Sequence, residues 1–415
     1  MAEKKITVFI YLPGETVAVP AGILTYDSDL KVGSFAYGRR YIERKNALPV
    51  DPVALPIGPP PQEVMINKGL YGSFRDATPD FWGRLVIAAE RKVPPEALSE
   101  TDFLLETNAT RVGNLDFRLS LNDPEPTLKP PHFNQMEQVL DSAARIEAGE
   151  EVSNHLLRLL YQGSSVGGAR PKCTVEWKNT LWIAKFPSMG DTLDIPRIEY
   201  ATMSLAESCG IRIPELLLES AGEKNILLVR RFDREKKGRY GWARKGFLSA
   251  LSLMQWDEND RLLWDYRGIA DIMRRYSTAV NIQELFCRMV FNILVRNTDD
   301  HPRNHGFLFS GDRLELSPAY DIVPSLTQPG VDTDFNLAMS VGENGREASL
   351  KNALSHAARF AFSLKAARAI VEHLVEITRG WREHFETVGC SDREIKALEP
   401  SFARCENVDL LSRIP

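Results

Sequence analysis

The sequence predicts an α+β protein with a β-rich first part and a mainly helical last part. Residues 1–125 carry short runs of β-prone residues. From about residue 233 onward, apolar residues recur at helical spacing. Two proline-rich stretches, 55–61 and 123–131, indicate loops rather than core elements. A chain of 415 residues is long for one core, so two or three subdomains are expected.

We place three parts along the chain. They are a β-rich N-terminal subdomain at 1–125, a lobe with a glycine-rich loop at 126–232, and a helical lobe at 233–415. The predicted helices are 136–148, 154–161, 262–276, 282–295, 349–361, 364–386 and 392–398. Each has apolar residues at the spacing of one helix face, so we assign its Met and aromatic side chains to the core.

Composition and charge limit the class of protein. The net charge of -5 argues against a broad electrostatic surface for nucleic acid, so we expect DNA contact only indirectly, through a partner. The five cysteines are scattered and lack Cys-x-x-Cys spacing, which indicates reduced thiols and no structural zinc site. The N-terminus has no signal-peptide core, and no apolar run approaches the ~20 residues of a membrane span. We therefore expect a cytoplasmic protein without membrane contact.

The most informative segment is a polar loop that follows the apolar stretch 285–295. It places Asp299 and Asn304 five residues apart, and Asp321 follows a predicted strand, turn and strand at 306–316. A carboxylate can orient or deprotonate an attacking hydroxyl, while an amide oxygen and a second carboxylate are suited to Mg²⁺. The pattern is typical of phosphoryl transfer from ATP. The alternative is that these residues only initiate turns, as most such clusters do.

A glycine-rich segment at 163–172 precedes the β-prone run 173–177. Small residues let backbone N–H groups approach phosphate oxygens closely, and a strand, loop and strand of this kind cover ATP in kinases. The candidate nucleotide-binding residues here are Ser165, Val166, Gly167, Gly168, Ala169 and Lys172. The segment does not match the spacing of a Walker loop, and a glycine-rich stretch alone is more often only a turn.

A single lysine, Lys185, lies in the otherwise apolar run 180–187, which we predict to be a strand. A buried ammonium needs partners, which a kinase supplies as nucleotide phosphates on one side and a helix glutamate on the other. We expect Lys185 to contact phosphates and Glu199 to be its partner. Lys172 is the second candidate for the phosphate contact. The alternative is an edge-strand lysine with its ammonium in water.

The apolar, strand-like run 225–229 changes abruptly into charged residues. In a two-lobed kinase such a transition is the linker between lobes, whose backbone can hydrogen-bond adenine while an aromatic side chain packs on the ring. The candidate nucleotide-binding residues of this linker are Arg230, Arg231, Phe232 and Asp233, with Phe232 as the aromatic.

The order of these motifs resembles the HipA family of serine/threonine kinase toxins, which belong to type II toxin–antitoxin systems. The similarity covers about residues 150–330. It rests on Ser-Val-Gly-Gly-Ala-Arg-Pro-Lys, Ile-Ala-Lys-Phe-Pro, Arg-Phe-Asp-Arg, Thr-Asp-Asp-His-x-x-Asn-His and Ser-Pro-Ala-Tyr-Asp. The segments 32–41 and 80–84 are also similar to the small β-rich N-terminal subdomain of that family. The resemblance implies a two-lobed protein-kinase-like fold.

The resemblance also implies roles for individual residues, with ATP and Mg²⁺ as cofactors. Asp299 would be the catalytic base, and Asn304 and Asp321 would bind Mg²⁺. Lys185 would contact ATP phosphates, and His301 would lie near them. Both are therefore grouped with Asp299 as catalytic residues.

Further implications concern regulation and partners. Ser165 aligns with the serine that the family phosphorylates on itself. Family members are usually encoded beside a small helix-turn-helix antitoxin and phosphorylate an aminoacyl-tRNA synthetase, so the resemblance implies an antitoxin partner and a protein substrate. The sequence departs from the best-known members in two places. Arg170-Pro171 stands where they carry Gln-Glu, and Arg230 stands where they carry an acidic residue.

Two other functions are compatible with the same motifs. A small-molecule kinase acting on an antibiotic or a sugar can use a similar Asp and Asn arrangement. A non-catalytic kinase-like module that sequesters a partner is the third alternative. Against it stands the presence of Lys185, Asp299, Asn304 and Asp321 together, since a module without activity has no chemical need for all four.

Overall fold

The computed structural model describes residues 3–58, 63–106, 108–163, 169–238, 241–311, 313–326 and 334–406. The chain divides into two compact units. The first comprises Met1–Asp191, Leu216–Asp257 and Leu308–Asp312, and the second comprises Thr192–Glu215, Glu258–Phe307 and Arg313–Pro415. Most strands belong to the first unit and the longest helices to the second. The predicted α+β class is confirmed.

The secondary structure alternates between short strands and helices in the first half and is mainly helical after residue 250. The strands are β1 (Glu3–Tyr11), β2 (Ala18–Asp27), β3 (Val32–Tyr37), β4 (Glu63–Val64), β5 (Leu115–Arg118), β6 (Lys172–Trp177), β7 (Thr180–Lys185), β8 (Leu216–Ala221), β9 (Lys224–Arg230), β10 (Arg234–Lys237), β11 (Gly241–Arg244), β12 (Gly246–Ser249), β13 (Gly306–Phe309) and β14 (Leu314–Leu316). The helices are α1 (Arg39–Ile42), α2 (Gly72–Asp76), α3 (Phe81–Arg91), α4 (Glu100–Glu106), α5 (Met136–Glu147), α6 (Asn154–Gly163), α7 (Ile195–Ser208), α8 (Ala250–Leu253), α9 (Tyr266–Tyr276), α10 (Ala279–Leu294), α11 (Leu350–Leu354), α12 (Leu364–Arg379), α13 (Trp381–Val388) and α14 (Asp392–Glu406).

The N-terminal sheet has the strand order β4-β3-β2-β1-β5, and its pairs are antiparallel. Ile6, Val8 and Ile10 of β1 are fully buried and belong to one core cluster with Phe35 of β3. Gly22 lets β2 and β3 approach closely, because a Cβ there would lie 2.3 Å from the carbonyl oxygen of Ala36. This sheet is the predicted β-rich part.

A second antiparallel sheet in the same unit has the order β6-β7-β9-β8 and carries the strand lysines. Helices α3, α5 and α6 supply Trp82, Val139 and Leu160 to a core with Val175 and Leu228 of this sheet. Burying such side chains stabilises the fold by roughly 1.5–3 kcal/mol each. The sheet is therefore a firmly packed support for residues on β6 and β7.

Helix α10 is the central apolar helix of the second unit. Its residues Leu285, Phe286, Met289 and Ile293 are fully buried. The helix begins three residues before the predicted start at 282, because the hydroxyl of Thr278 caps it by accepting from the backbone N–H of Asn281. A helix that is apolar on most sides lies inside a domain. Its C-terminal end therefore presents the following loop from a rigid base.

Two predicted helices are each divided. The predicted helix 364–386 is α12 and α13, with Gly380 at the end of one and the start of the other. The predicted helix 349–361 is α11 followed by a 3₁₀ turn, which ends where Ala361 takes the left-handed conformation with φ +59°. In both cases the apolar spacing continues across the break, so the spacing alone does not reveal it.

Two further helices have boundaries that differ from the predicted ones. The predicted helix 262–276 begins as a 3₁₀ turn, and α9 starts only at Tyr266 after Asp265, whose carboxylate accepts from the backbone N–H of Arg267 at 2.8 Å. The predicted helix 392–398 continues to Glu406 as α14, with Pro400 inside it.

None of the helices within the described ranges is long and apolar enough to cross a bilayer. All five cysteines carry free thiols, in agreement with the scattered spacing in the sequence. Burial raises the pKa of the Cys209 thiol to about 11. That thiol is therefore protonated and poorly nucleophilic at neutral pH.

Candidate active site

The candidate catalytic loop follows the C-terminal end of α10 and is anchored just before Asp299. The side-chain amide of Asn297 donates to the side-chain oxygen of Asn292 in the last turns of α10 at 3.0 Å. The backbone N–H of Thr298 donates to the hydroxyl of Ser325 at 3.2 Å, which joins the loop to the segment after Asp321. These bonds hold the chain directly before the predicted catalytic residues.

Asp299 is exposed, and its backbone is held more firmly than its side chain. Its carbonyl oxygen accepts from the backbone N–H of His301 at 2.8 Å and from Nδ2 of Asn304 at 3.2 Å. Its carboxylate has no hydrogen-bond partner within the described residues. A carboxyl group on a fixed backbone, open to solvent, is what a group acting on an incoming hydroxyl requires.

Asn304 and Asp321 lie on segments that the structure brings together. The hydroxyl of Tyr320 donates to the carbonyl of Arg303 at 2.7 Å, so the residues directly before Asp321 and Asn304 are in contact. The hairpin of β13 and β14 returns the chain to this point, as the sequence predicted. The predicted proximity of the two segments is thus present.

The donor atoms of these two residues suit a hard cation. Nδ2 of Asn304 is engaged with the Asp299 carbonyl, which leaves Oδ1 as the amide atom for a ligand. Asp321 has the left-handed φ of +61°, a conformation that Asp adopts more readily than most non-glycine residues. One amide oxygen and one carboxylate agree with the few protein ligands that Mg²⁺ takes beside phosphates. Within the described ranges, no group of three or more His, Cys, Asp or Glu residues could hold a metal alone.

His301 lies between Asp299, the candidate catalytic residue, and Asn304 in the sequence. Its Nδ1 atom is buried and has no hydrogen-bond partner among the described residues. Such buried polar atoms are rare and call for an explanation, for example a ligand that completes the bond. A phosphate oxygen would accept from this nitrogen if it carries the proton.

A buried network under the loop was not anticipated from the sequence. The Asp300 carboxylate, 2% exposed, accepts from the hydroxyl of Tyr266 and contacts Nε2 of His305 at 2.9 Å. The guanidinium of Arg303 also pairs with Glu258 at 2.6 Å. Asp299 is therefore exposed, whereas its neighbour Asp300 is buried and hydrogen-bonded. The only sequence signal for this was the second Asp beside the candidate base.

The two candidate phosphate-binding lysines lie directly opposite each other on neighbouring strands of the first unit. Lys172 on β6 pairs with Lys185 on β7, so both side chains are on one face of the sheet. Lys172 is 5% exposed and Lys185 is half-buried. The indole of Trp82 donates to the carbonyl of Lys172 at 2.8 Å and holds this end of β6. Both lysines therefore stay candidates for the phosphate contact.

The other predicted residues near these lysines fall in different places. Ala169 is exposed in a bend before β6, while Ser165, Val166, Gly167 and Gly168 lie outside the described residues. Glu199 is 3% exposed on α7. Because Glu199 belongs to the second unit and Lys185 to the first, their pairing stays a prediction.

The linker after β9 contains a buried ionic network. The Arg231 guanidinium binds both carboxylate oxygens of Asp233, at 2.9 and 2.7 Å, and donates to the carbonyl of Thr110 at 2.5 Å. Asp233 also accepts from the backbone N–H of Gly113 at 3.0 Å and from Arg234 at 2.6 Å. Burial raises the pKa of the Asp233 carboxyl, but the two neighbouring guanidinium groups outweigh burial and hold it below its usual range.

This network differs from the sequence interpretation, in which Arg231 and Asp233 contact nucleotide. Both side chains are satisfied inside the first unit, and the backbone N–H of Arg231 donates to Leu181 at 2.9 Å. Arg230 is exposed and Phe232 is half-buried. These two residues remain the candidates for nucleotide contact at the linker.

An exposed Asp on a fixed loop after a buried helix, an Asn five residues on and a second Asp after a hairpin define a kinase-like class of phosphotransferase. The family model of the HipA-like C-terminal domain matches residues 164–381, just over half of the chain. The chain therefore belongs to the HipA-like family, and the resemblance seen in the sequence is confirmed.

Two proteins with similar sequences are named as kinases. The chain is 27% identical to "Putative kinase Y4dM" of Sinorhizobium fredii over 191 residues, which cover 43% of this chain and 45% of that protein. It is 24% identical to "Putative kinase Y4mE" of the same organism over 348 residues, 78% of each chain. The match thus spans less than half the length of the first relative and most of the second.

A solved structure shares the fold over nearly the whole chain. It is a chain of the Shewanella oneidensis MR-1 complex of the toxin–antitoxin proteins HipA and HipB with operator DNA. The TM-score is 0.67 at 16% identity, and the superposition covers 98% of this chain and 99% of that chain. At this identity the similarity establishes the fold.

Proposed function

We propose that the protein is an ATP-dependent serine/threonine protein kinase of the HipA toxin type. The observation that carries this proposal is Asp299, an exposed carboxylate without a partner in the described chain, on a backbone held by His301 and Asn304. Asp299 orients the attacking hydroxyl and accepts its proton. The buried Nδ1–H of His301 donates a hydrogen bond to a phosphate oxygen.

The remaining roles follow from position. Asn304 and Asp321 hold Mg²⁺, which when bound neutralises charge on the phosphate oxygens. Lys185, with Lys172 opposite it, contacts the phosphates from the sheet. At the linker, Phe232 packs against adenine beside Arg230.

A partner and a substrate class complete the proposal. A small helix-turn-helix antitoxin binds this protein, and DNA is contacted only through that antitoxin. The support is the fold shared with a chain from a complex of HipA, HipB and operator DNA. The substrate is a serine or threonine of another protein, with an aminoacyl-tRNA synthetase as the family-based candidate.

The proposed metal ligands predict a metal-dependent loss of nucleotide binding. Asn304→Ala and Asp321→Ala each remove one oxygen ligand, so calorimetry should show ATP binding in Mg²⁺ weakened by about 10-fold or more. The matched measurement in EDTA should give similar affinities for the variants and the unchanged protein. Unchanged Mg-ATP affinity in both variants would exclude this pair as the metal site.

The two strand lysines can be separated by the same assay. Lys185→Ala should raise the Kd for ATP by about 10- to 100-fold, the range expected for loss of a hydrogen bond between charged groups. Lys172→Ala is the control and should have the smaller effect. If ATP binding tolerates loss of Lys185 but not of Lys172, the phosphate contact belongs to Lys172.

Phosphorylation of Ser165 tests the protein-kinase assignment. A phosphate there adds roughly -1.5 to -2 charges beside the nucleotide, so the modified protein should no longer bind ATP. Mass spectrometry after incubation with Mg-ATP should find this phosphate on Ser165, or on Ser164 if the alignment is shifted by one residue. Activity should decline as the modification accumulates, and Ser165→Asp should abolish ATP binding.

The same experiment tests whether one copy of the protein phosphorylates another. If the glycine-rich loop covers the nucleotide, as its sequence predicts, Ser165 lies over its own nucleotide, so we infer that another copy of the protein transfers the phosphate. Inactive Asp299→Ala protein should therefore become labelled when active enzyme is added. Active enzyme with both serines unmodified, or normal ATP binding by Ser165→Asp, would show that this switch is absent.

A further inference from the structure

A recess of about 380 Å³ lies at the tip of the hairpin formed by β6 and β7, within the first unit. One side is the end of β6 and its turn, and the other is the segment that precedes α5. Its lining includes Phe133, Asn134, Glu176, Trp177, Lys178 and Asn179. No role in phosphoryl transfer has been assigned to any of these residues.

The apolar floor of the recess is a pair of aromatic rings. Phe133 and Trp177 have ring centroids 4.9 Å apart and planes inclined by 32°. Both rings are half-buried and pack against the core of the sheet. The indole of Trp182 also donates to the carbonyl of Trp177 at 3.2 Å. The floor is thus fixed before any ligand arrives.

A cation already lies against this floor. The ammonium of Lys178 is 3.8 Å from the centroid of the Trp177 ring, within the range of a cation–π contact. Lys178 is exposed, and its turn has two consecutive left-handed residues, with φ +48° at Lys178 and +63° at Asn179. An exposed lysine on a flexible stem is readily exchanged, so its position shows that the ring face attracts cations without occupying it permanently.

A carboxylate with spare hydrogen-bonding capacity borders the same space. The side chain of Glu176 is 29% exposed, and its nearest cation is the ammonium of Lys236 at 3.6 Å. That ammonium donates instead to the side-chain oxygen of Asn179. Within the described chain, the carboxylate of Glu176 therefore has an ion-pair neighbour but accepts no hydrogen bond.

We propose that this recess binds an arginine side chain presented by a partner protein. A guanidinium is planar, stacks on aromatic faces and offers a fork of N–H donors to a carboxylate. Here Trp177 supplies the face, Glu176 the acceptor and Asn134 an amide at the rim. The ammonium of Lys178 lies over the ring but makes no ion pair with Glu176, whereas a planar guanidinium can stack on the ring and reach the carboxylate at the same time. Within the described chain, the Glu176 carboxylate is the acceptor that such a ligand would use, because it has an ion-pair neighbour but accepts no hydrogen bond.

The proposal is tested with short peptides and a fluorine label. Protein labelled with 5-fluorotryptophan is titrated with a capped Gly-Ala-Arg-Ala-Gly peptide, and the Trp177 signal is identified by its loss in Trp177→Phe. The peptide should shift this signal saturably. The citrulline peptide, the same shape without the charge, should bind at least about tenfold more weakly. The lysine peptide should also bind more weakly than the arginine peptide.

Variants locate the binding site independently of catalysis. Glu176→Gln should lower arginine-peptide affinity about tenfold, to the citrulline level, while Glu223→Gln, an exposed turn residue of the same unit, should leave it unchanged. Lys178→Ala removes the competing ammonium and should tighten binding about two- to fivefold. Asp299→Ala should bind as the unchanged protein does, which separates this proposal from the kinase assignment. Equal affinity for arginine and citrulline peptides, or normal binding by Glu176→Gln, would overturn it.

Discussion

Asp299→Ala is expected to lower the rate of phosphoryl transfer by about 10²- to 10⁴-fold, the contribution typical of a positioned acid–base group. The free energy of unfolding should change by less than about 0.5 kcal/mol, because Asp299 is exposed and its carboxylate makes no hydrogen bond or ion pair within the described residues. Its backbone carbonyl, which accepts from His301 and Asn304, is retained in the variant. Activity is measured as phosphate transfer from labelled ATP, and stability by urea denaturation.

A matched substitution separates the loss of this carboxylate from the loss of any exposed charge. Asp260 is exposed in the same unit and has no side-chain cap bond to the turn that follows it. Asp260→Ala should therefore keep both the activity and the stability of the unchanged protein. Full activity in Asp299→Ala would remove this residue from the mechanism. A large loss of stability would show instead that Asp299 is structural.

The parts of the fold that could be predicted are those that depend on local pattern. Helix α10 and strand β7 have apolar spacing within a single segment, and both occur close to their expected positions. The break at Gly380 could not be predicted, because the apolar face continues from α12 into α13. Capping by Thr278 likewise starts α10 three residues before its predicted beginning at residue 282.

The same distinction applies to the candidate site. Asp299 and Asn304 are five residues apart in sequence, so a pattern of residue types was sufficient to select them. Asp300 belongs to the same motif, yet its burial depends on a hydrogen bond from Tyr266 of α9, more than thirty residues earlier. The partner of Arg231 at Thr110 is more than a hundred residues away. A charged linker residue in the sequence looks the same whether it faces a ligand or the interior.

Asp233→Ala is expected to destabilise the protein by about 3–5 kcal/mol, because it leaves two buried guanidinium groups without their shared counter-ion. The side chains of Asp233, Arg231 and Arg234 are 4%, 1% and 1% exposed. The variant also removes the acceptor of the Gly113 backbone N–H. Asp29→Ala, at an exposed turn of the same unit, is the control and should change the free energy of unfolding by less than about 0.5 kcal/mol.

The contribution of Asp233 to the free energy of unfolding should depend on pH. The folded-state pKa of Asp233 lies below its ordinary value, since the charges of Arg231 and Arg234 outweigh the effect of burial. A carboxyl with a depressed pKa stabilises the fold fully above its unfolded value of about 3.9, and the contribution is lost as the pH falls through the folded pKa. Urea denaturation of Asp233→Asn and the unchanged protein should therefore differ most at neutral pH and converge only in acid. If Asp233→Ala instead unfolds normally but binds ATP weakly, the carboxylate faces the nucleotide and the network does not hold the linker.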